Sequence, residues 1–241
     1  MKVAIAGARG IVGSAALERF LERDGWDAVA ISRRPPDIDA SRDFEHLSLD
    51  LRDAEATRTG LAGLDGVTHL VYAAVYEKPG LIQGWTEEDQ MQTNLEMLEN
   101  TLAPLIEKGT LEQVTILQGT KAYGAHLHPM PIPARERFPR DDHANFYWLQ
   151  EDYLIDQAAK HGFRWTILRP QLIIGSTIGS VMNLAPVIGV YGAIRKELGE
   201  PFSFPGGVPY VSELVDSRVV AAACEFAATD PAADGRHFNV T

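Results

Sequence analysis

Short apolar runs recur along the chain, separated by segments with helical spacing. Val3–Ala6 precedes a helix-like Ile11–Leu21. Strand-like runs follow at Ala28–Ile31, Phe44–Leu49 and Thr68–Ala74, then a long amphipathic stretch at Glu87–Glu107. Val114–Leu117 is the next strand, Tyr147–His161 a helix, Trp165–Leu168 a strand, and His237–Thr241 a last short strand. The runs are rich in Val, Ile and Leu and do not alternate with polar residues, which is the pattern of strands covered on both faces. The βαβα rhythm predicts an α/β fold, a Rossmann-type doubly wound parallel sheet with right-handed crossovers. Gly124–Arg140, with four prolines, and Glu200–Pro209 read as irregular loops.

A chain of 241 residues holds one substantial core. It reads as a single Rossmann-type domain over 1–241, with about 176–241 including a partial substrate-side lobe. The apolar stretch Met182, Leu184, Pro186, Val187, Ile188 and Tyr191 fits either the core of that lobe or a wall of a greasy substrate pocket. Apolar residues make up 45% and charged residues 23%, as in an ordinary globular protein. The net charge of −11 argues against a nucleic-acid partner, because phosphate neutralisation needs a basic face. Cys224 is the single cysteine, so neither an internal disulfide nor a Cys-rich zinc cluster is available, and no metal site is expected. Met1-Lys2-Val3 leads straight into the first strand without a signal-peptide pattern, and no run reaches the ~20 apolar residues of a membrane helix. The expectation is a cytoplasmic protein without a membrane partner; a homodimer stays open.

Gly7-Ala8-Arg9-Gly10-Ile11-Val12-Gly13 lies directly after the first strand and opens the first helix. A pyrophosphate needs backbone N–H groups at a helix N-terminus with no Cβ in the way, which glycines provide. The spacing is G-x-x-G-x-x-G rather than G-x-G-x-x-G, and a strand–helix turn with glycines for packing fits the same residues. The second strand ends Ser32-Arg33-Arg34, without the carboxylate that would accept from the ribose 2′-OH of NAD. Two guanidiniums and a hydroxyl suit the 2′-phosphate of NADP(H), with Arg9 as a third cation. The bland reading is a solvated basic loop. Asp50 at the third strand's end suits the adenine amino group, with Leu51 packing on the ring, or serves as a helix N-cap. Ala73, Ala74 and Val75, at the end of the fourth strand, are small enough to let a cofactor lie close.

The usual acid–base pair of a short-chain dehydrogenase is Tyr-x-x-x-Lys on one helix, and no lysine here follows a tyrosine at that spacing. Two segments supply a substitute: Gly119-Thr120-Lys121, after the fifth strand, and Asn145-Phe146-Tyr147-Trp148, opening the next helix. The carboxyl edge of an open α/β sheet is where ligands bind. A lysine there can approach a tyrosine across the cleft and favour its sharing a proton. Read singly, Tyr147 is equally an aromatic core residue and Lys121 a turn lysine.

With the Gly7–Gly13, Ser32–Pro35 and Trp165–Gly175 blocks, these segments resemble an extended short-chain dehydrogenase/reductase of the progesterone 5β-reductase/iridoid synthase-like family. The resemblance implies NADPH-dependent reduction of an enone, with hydride delivered to the β-carbon and the catalytic tyrosine on the carbonyl oxygen. It assigns Tyr147 and Lys121 the catalytic roles, with Trp148 standing where the family often has a second tyrosine. It places Pro170, Ile173 and Ser176 beside the nicotinamide, makes Asn94 a structural support, and implies a small apolar carbonyl or enone substrate. That family continues well beyond residue 241 and adds much of its substrate side there. A carbonyl reductase, a sugar-nucleotide epimerase or dehydratase of the same fold, and a non-catalytic NADP(H)-sensing regulator remain alternatives. His126 and His128 read as solvated loop residues, and Asp141-Asp142-His143 as the cap region of the Tyr147 helix.

Overall fold

The computed structural model describes every residue except 41, 79–82, 178–179, 181–182 and 208–211. Met182 and the end of the 200–209 loop therefore lie outside the described residues.

The central sheet has seven strands: β1 (Lys2–Ala6), β2 (Asp27–Ser32), β3 (Glu45–Ser48), β4 (His69–Tyr72), β5 (Gln113–Leu117), β6 (Arg164–Pro170) and, after a further strand pair, β9 (Arg236–Val240). Their order across the sheet is β3-β2-β1-β4-β5-β6-β9, and every pairing is parallel. The order reverses between β1 and β4, and the two crevice-forming loops leave their carboxyl ends there. Because strand side chains alternate, Val3 and Ile5 of β1 enter one core and Ala4 and Ala6 the other. On the first face α1 (Ile11–Leu21) and α6 (Ser217–Thr229) bury Leu17, Phe20, Val220 and Cys224. On the second, α2 (Ala54–Ala62), α3 (Glu88–Glu107) and α4 (Phe146–His161) bury Leu61, Leu98, Leu102 and Leu154.

A small second sheet pairs β7 (Leu172–Ile174) with β8 (Leu214–Asp216). Between them, α5 (Leu184–Glu197) carries the apolar stretch noted above and buries none of its described residues. Residues from Ser217 onward belong to the main core, through α6 and β9. Gly124–Arg140 has no regular strand or α-helix, as its prolines predict.

Candidate functional site

Gly7 sits at φ +79°, and a Cβ there would come within 2.7 Å of the Ala73 carbonyl oxygen. A side chain at Gly13 would land on the Gly7 backbone, 2.7 Å from its carbonyl carbon. Both glycines thus let the turn, β4 and α1 close together; the packing reading of the motif holds, and the same compactness leaves the helix start bare. Gly10 caps α1 without a side-chain hydrogen bond, and no acidic residue occupies the first turn. The leading N–H groups of Ile11, Val12 and Gly13 are available to an anion in a way a capped helix forbids. The Val12 side chain points into the core, so only its backbone faces the loop.

A cleft of about 240 Å³ runs from this turn over the carboxyl ends of β1, β2 and β4. It gathers Gly7, Arg9 and Gly10 with Ser32, Arg33 and Arg34, then Asp50 and Leu51, then Ala73, Ala74 and Val75. Arg33 and Arg34 are exposed, and neither guanidinium has a hydrogen-bond or ion-pair partner among the described residues. Ser32 donates its hydroxyl to the Arg34 carbonyl at 2.7 Å and holds the loop, and Arg9 donates to the Pro35 carbonyl at 2.5 Å. Asp50 is not a helix cap: Asp53 caps α2 by accepting from the Ala56 N–H at 2.9 Å. Both Asp50 oxygens accept from the Arg52 guanidinium, which lowers the pKa of this carboxyl.

Tyr147 stands in the first turn of α4, where the Asn145 side chain caps the helix by accepting from the Tyr147 N–H at 3.0 Å. The cap expected among residues 141–143 thus falls at Asn145. Asp141 instead pairs with His143 and His128, at 2.8 and 2.9 Å. The phenol ring is buried, and burial raises the Tyr147 pKa, keeping the hydroxyl neutral. Its oxygen lies 3.4 Å from where a Gly119 Cβ would stand, and the Pro170 carbonyl oxygen is at the same distance from that point. The ends of β5 and β6 thus meet the phenol, and Gly119 leaves the gap between them open.

Lys121 follows in a 3-10 turn, Thr120–Tyr123. No hydrogen bond joins it to Tyr147. Its ammonium sits 3.2 Å above the centre of the Trp85 indole, and the Tyr147 ring meets the same indole edge-on, centroids 5.4 Å apart. Burial pushes the Lys121 amine down to about 8, partly opposed by the Glu77 carboxylate. Trp85 and Glu77 escaped the sequence reading. The available signal was an isolated tryptophan just before a long amphipathic helix. His126 is not a free loop residue either: it packs on His143, centroids 5.1 Å apart, and its buried Nδ1 has no hydrogen-bond partner among the described residues.

Behind the phenol lies a buried polar network. Gln118 donates to Glu151 at 2.7 Å and accepts from Arg169 at 2.8 Å; Arg140 and His237 also reach Glu151, at 2.8 and 3.2 Å. Burial opposes ionisation of Glu151, but the adjacent His237 imidazole and hydrogen bonds from Gln118 and Arg140 outweigh it and hold the carboxyl at about 2. Glu151 lies four residues after Tyr147 on α4, so the network fixes the helix carrying the phenol. Asn94, buried in α3, accepts from the Tyr76 N–H and donates to the Tyr76 carbonyl, both at 2.8 Å, and so pins the loop after β4.

Five residues expected at the nicotinamide end do not line the cleft: Gly119 and Thr120 stand at the Tyr147 corner, and Pro170, Ile173 and Ser176 follow on β6 and beyond. Pro170 ends β6, Ile173 packs from β7 against the main core, and Ser176 lines a separate cavity of about 390 Å³ with Ser14 and Arg218. Gly175 draws this segment onto the start of α1, where an added Cβ would meet Ile11 at 3.1 Å. Among the described residues no group of three or more His, Cys, Asp or Glu side chains is placed to hold a metal ion, and no helix is long and apolar enough to cross a membrane.

A parallel sheet that reverses at a bare, glycine-lined helix start defines a dinucleotide-binding α/β protein. The family model described as the NAD dependent epimerase/dehydratase family matches residues 3–241, and the chain belongs to that family. Within it the chain is similar to the (S)-8-oxocitronellyl enol synthase of Camptotheca acuminata, 32% identical over 98% of this chain and 63% of the relative. The 3-oxo-Delta(4,5)-steroid 5-beta-reductase of Arabidopsis thaliana matches with the same identity and the same coverage. The resemblance read from the sequence motifs is therefore shown, although the chain spans about 63% of the length of these relatives. Among solved structures, UDP-glucose 4-epimerase of Thermus thermophilus, in complex with NAD, superposes with a TM-score of 0.76 at 22% identity, covering 100% of this chain and 77% of that one. The Thermotoga maritima UDP-glucose 4-epimerase, with UDP-glucose, gives 0.75 at 20% identity, covering 100% and 76%. At those identities the likeness establishes the fold alone.

Proposed function

We propose that the protein is an NADPH-dependent reductase of the activated C=C bond of an enone. The observation that carries this reading is a buried, neutral phenol, Tyr147, at the carboxyl edge of β5 and β6, with a lysine ammonium against the same indole. The two relatives named above, an enol synthase and a steroid 5-beta-reductase, support it.

The cofactor cleft fits NADP(H). The bare start of α1 would hold the pyrophosphate, and Arg33, Arg34 and Arg9 the 2′-phosphate, with Ser32 bracing the loop. Asp50 and Leu51 would border the adenine, Ala73, Ala74 and Val75 the middle of the cofactor, and Gly119, Thr120 and Pro170, at the Tyr147 corner, its nicotinamide end. When bound, the cofactor supplies the hydride. The chain's own part is to hold the substrate and stabilise charge. As hydride reaches the β-carbon, negative charge grows on the carbonyl oxygen, and the enolate then takes a proton from water at its α-carbon to give the saturated ketone. The Tyr147 hydroxyl donates a hydrogen bond to that oxygen, and the bond strengthens as the charge develops, which lowers the barrier. A raised phenol pKa suits a donor that must remain protonated. Lys121 contributes positive charge to the same corner. The substrate is a small apolar enone, and the compartment is the cytoplasm.

The experiment is a product analysis. Purified protein is incubated with NADPH and 2-cyclohexenone, and the product is identified by mass spectrometry. A saturated ketone is expected, with Tyr147→Phe losing about 10²–10⁴-fold in kcat while NADPH binding is kept. An allylic alcohol would move the protein to carbonyl reduction, and full turnover by Tyr147→Phe would remove the phenol from the mechanism. NADPH binding with no product from any enone or carbonyl would favour a cofactor-sensing role.

A further inference from the structure

Trp85 belongs to neither of the two segments that supply the proposed catalytic pair. It stands in a short 3-10 turn, Gln83–Thr86, just ahead of α3, yet its indole touches both side chains: the Lys121 ammonium over its face and the Tyr147 ring at its edge. The indole is itself anchored. Its N–H donates to Glu77 Oε1 at 3.1 Å, and Phe146 stacks against it with centroids 4.8 Å apart. Trp85 is buried, so the ammonium rests on a surface that water does not cover. A cation over an indole face is held more strongly when desolvated.

We propose that Trp85 and Glu77 are positioning residues that hold the Lys121 ammonium beside Tyr147, the indole by a cation–π contact and the carboxylate by fixing the indole and supplying the opposing charge. The inference rests on the reductase reading for its consequence, but the contacts stand without it. Two ionisable groups face Lys121, Glu77 from the loop after β4 and His126 from the loop after the 3-10 turn, while Tyr147, on α4, meets the same indole at its edge. Glu77 favours the charged amine, while His126 opposes it when protonated. The holder replaces what a Tyr-x-x-x-Lys helix achieves by spacing alone. With lysine and tyrosine on different elements, a third side chain must set their relative place.

The test has two arms on the full chain. In the first, trace acetylation with acetic anhydride is followed across pH at the Lys121 peptide by mass spectrometry, with exposed Lys196 as the internal reference. The high-pH plateau reports cover, and the midpoint reports charge. Trp85→Leu raises the plateau by uncovering the amine. Glu77→Gln leaves the plateau and moves the midpoint to lower pH. Trp85→Phe, which keeps a ring face, stays near the parent plateau. In the second arm, Trp85→Leu and Glu77→Gln lower kcat for enone reduction about two- to thirtyfold with KM for NADPH unchanged, and Trp85→Phe recovers most of the loss. Unchanged acetylation of Lys121 in both variants would overturn the holder, and shifted acetylation with full kcat would overturn its positioning role. Failure of the reductase reading is seen separately: the parent protein makes no saturated ketone, and the acetylation arm still decides whether the holder exists.

Discussion

At the scale of single residues, charge placement separates the chemistry of the site from its packing. Arg33 and Arg34 stand exposed, with no hydrogen bond or ion pair among the described residues, in a chain of net charge −11, whereas Arg52, on the same cleft, is committed to Asp50. Arg33→Ala and Arg34→Ala should each weaken NADPH binding by roughly 10- to 100-fold and leave NADH binding nearly unchanged, because a charge-assisted bond to a 2′-phosphate exists for one cofactor only. Fluorescence titration with both nucleotides checks this. Lys121 gives a pH signature. Its amine, pushed down to about 8 by burial, loses its charge as pH rises through that value. The kcat for enone reduction should therefore fall above about pH 8, and Lys121→Met should remove that limb of the profile. The linked effect on folding has the opposite slope: the unfolded chain binds more protons between about 8 and the ordinary lysine value of 10.5, so the cost of burying this amine is lost as pH rises there.

At the scale of elements, the turn from β1 into α1 is set by three backbone approaches. Gly7 lies against β4, Gly13 against Gly7, and the Gly10 N–H donates to the Gly7 carbonyl at 2.8 Å. A methyl at position 13 meets backbone that no rotamer change can move away. Gly13→Ala should cost roughly 1–3 kcal/mol and lower Tm, a cost of overpacking. Differential scanning fluorimetry, with and without NADPH, separates that loss from any loss of binding. The element boundaries were largely legible in the sequence, since β1, β2, β5, β6, α1, α3 and α4 fall within a few residues of the apolar runs. Three helices were not. α2 has few apolar positions, α6 follows a region without clear periodicity, and α5 looks apolar without burying any of its described residues. An apolar run states that a surface seeks cover; it does not state where the cover is.

At the scale of the whole molecule, Glu151 of α4 joins the end of β5, β6, the 124–140 loop and β9 through Gln118, Arg169, Arg140 and His237. Its folded pKa of about 2 lies below the ordinary 4.5, so its contribution is complete above about 4.5 and is lost as pH falls towards 2. Glu151→Gln leaves the Arg169 guanidinium buried without a carboxylate and should cost roughly 3–5 kcal/mol, measured as a lower urea midpoint at pH 7. The difference from the parent protein should shrink between pH 4.5 and 2.

What the sequence determined by itself is what local spacing and residue chemistry dictate: non-alternating apolar strands that must be covered on both faces, glycines where backbones meet, and two arginines at the tip of β2 where a carboxylate would have served NAD. What only the tertiary structure decided is which distant groups share a surface. Lys121 meets Trp85 rather than bonding to Tyr147, Asp50 is taken by Arg52 while Asp53 caps the helix, and Ser176 opens onto a cavity separate from the cleft. The physical reason is range. Backbone geometry repeats over three or four residues and is written in neighbouring side chains, whereas the partner of a charge is chosen by how whole elements pack.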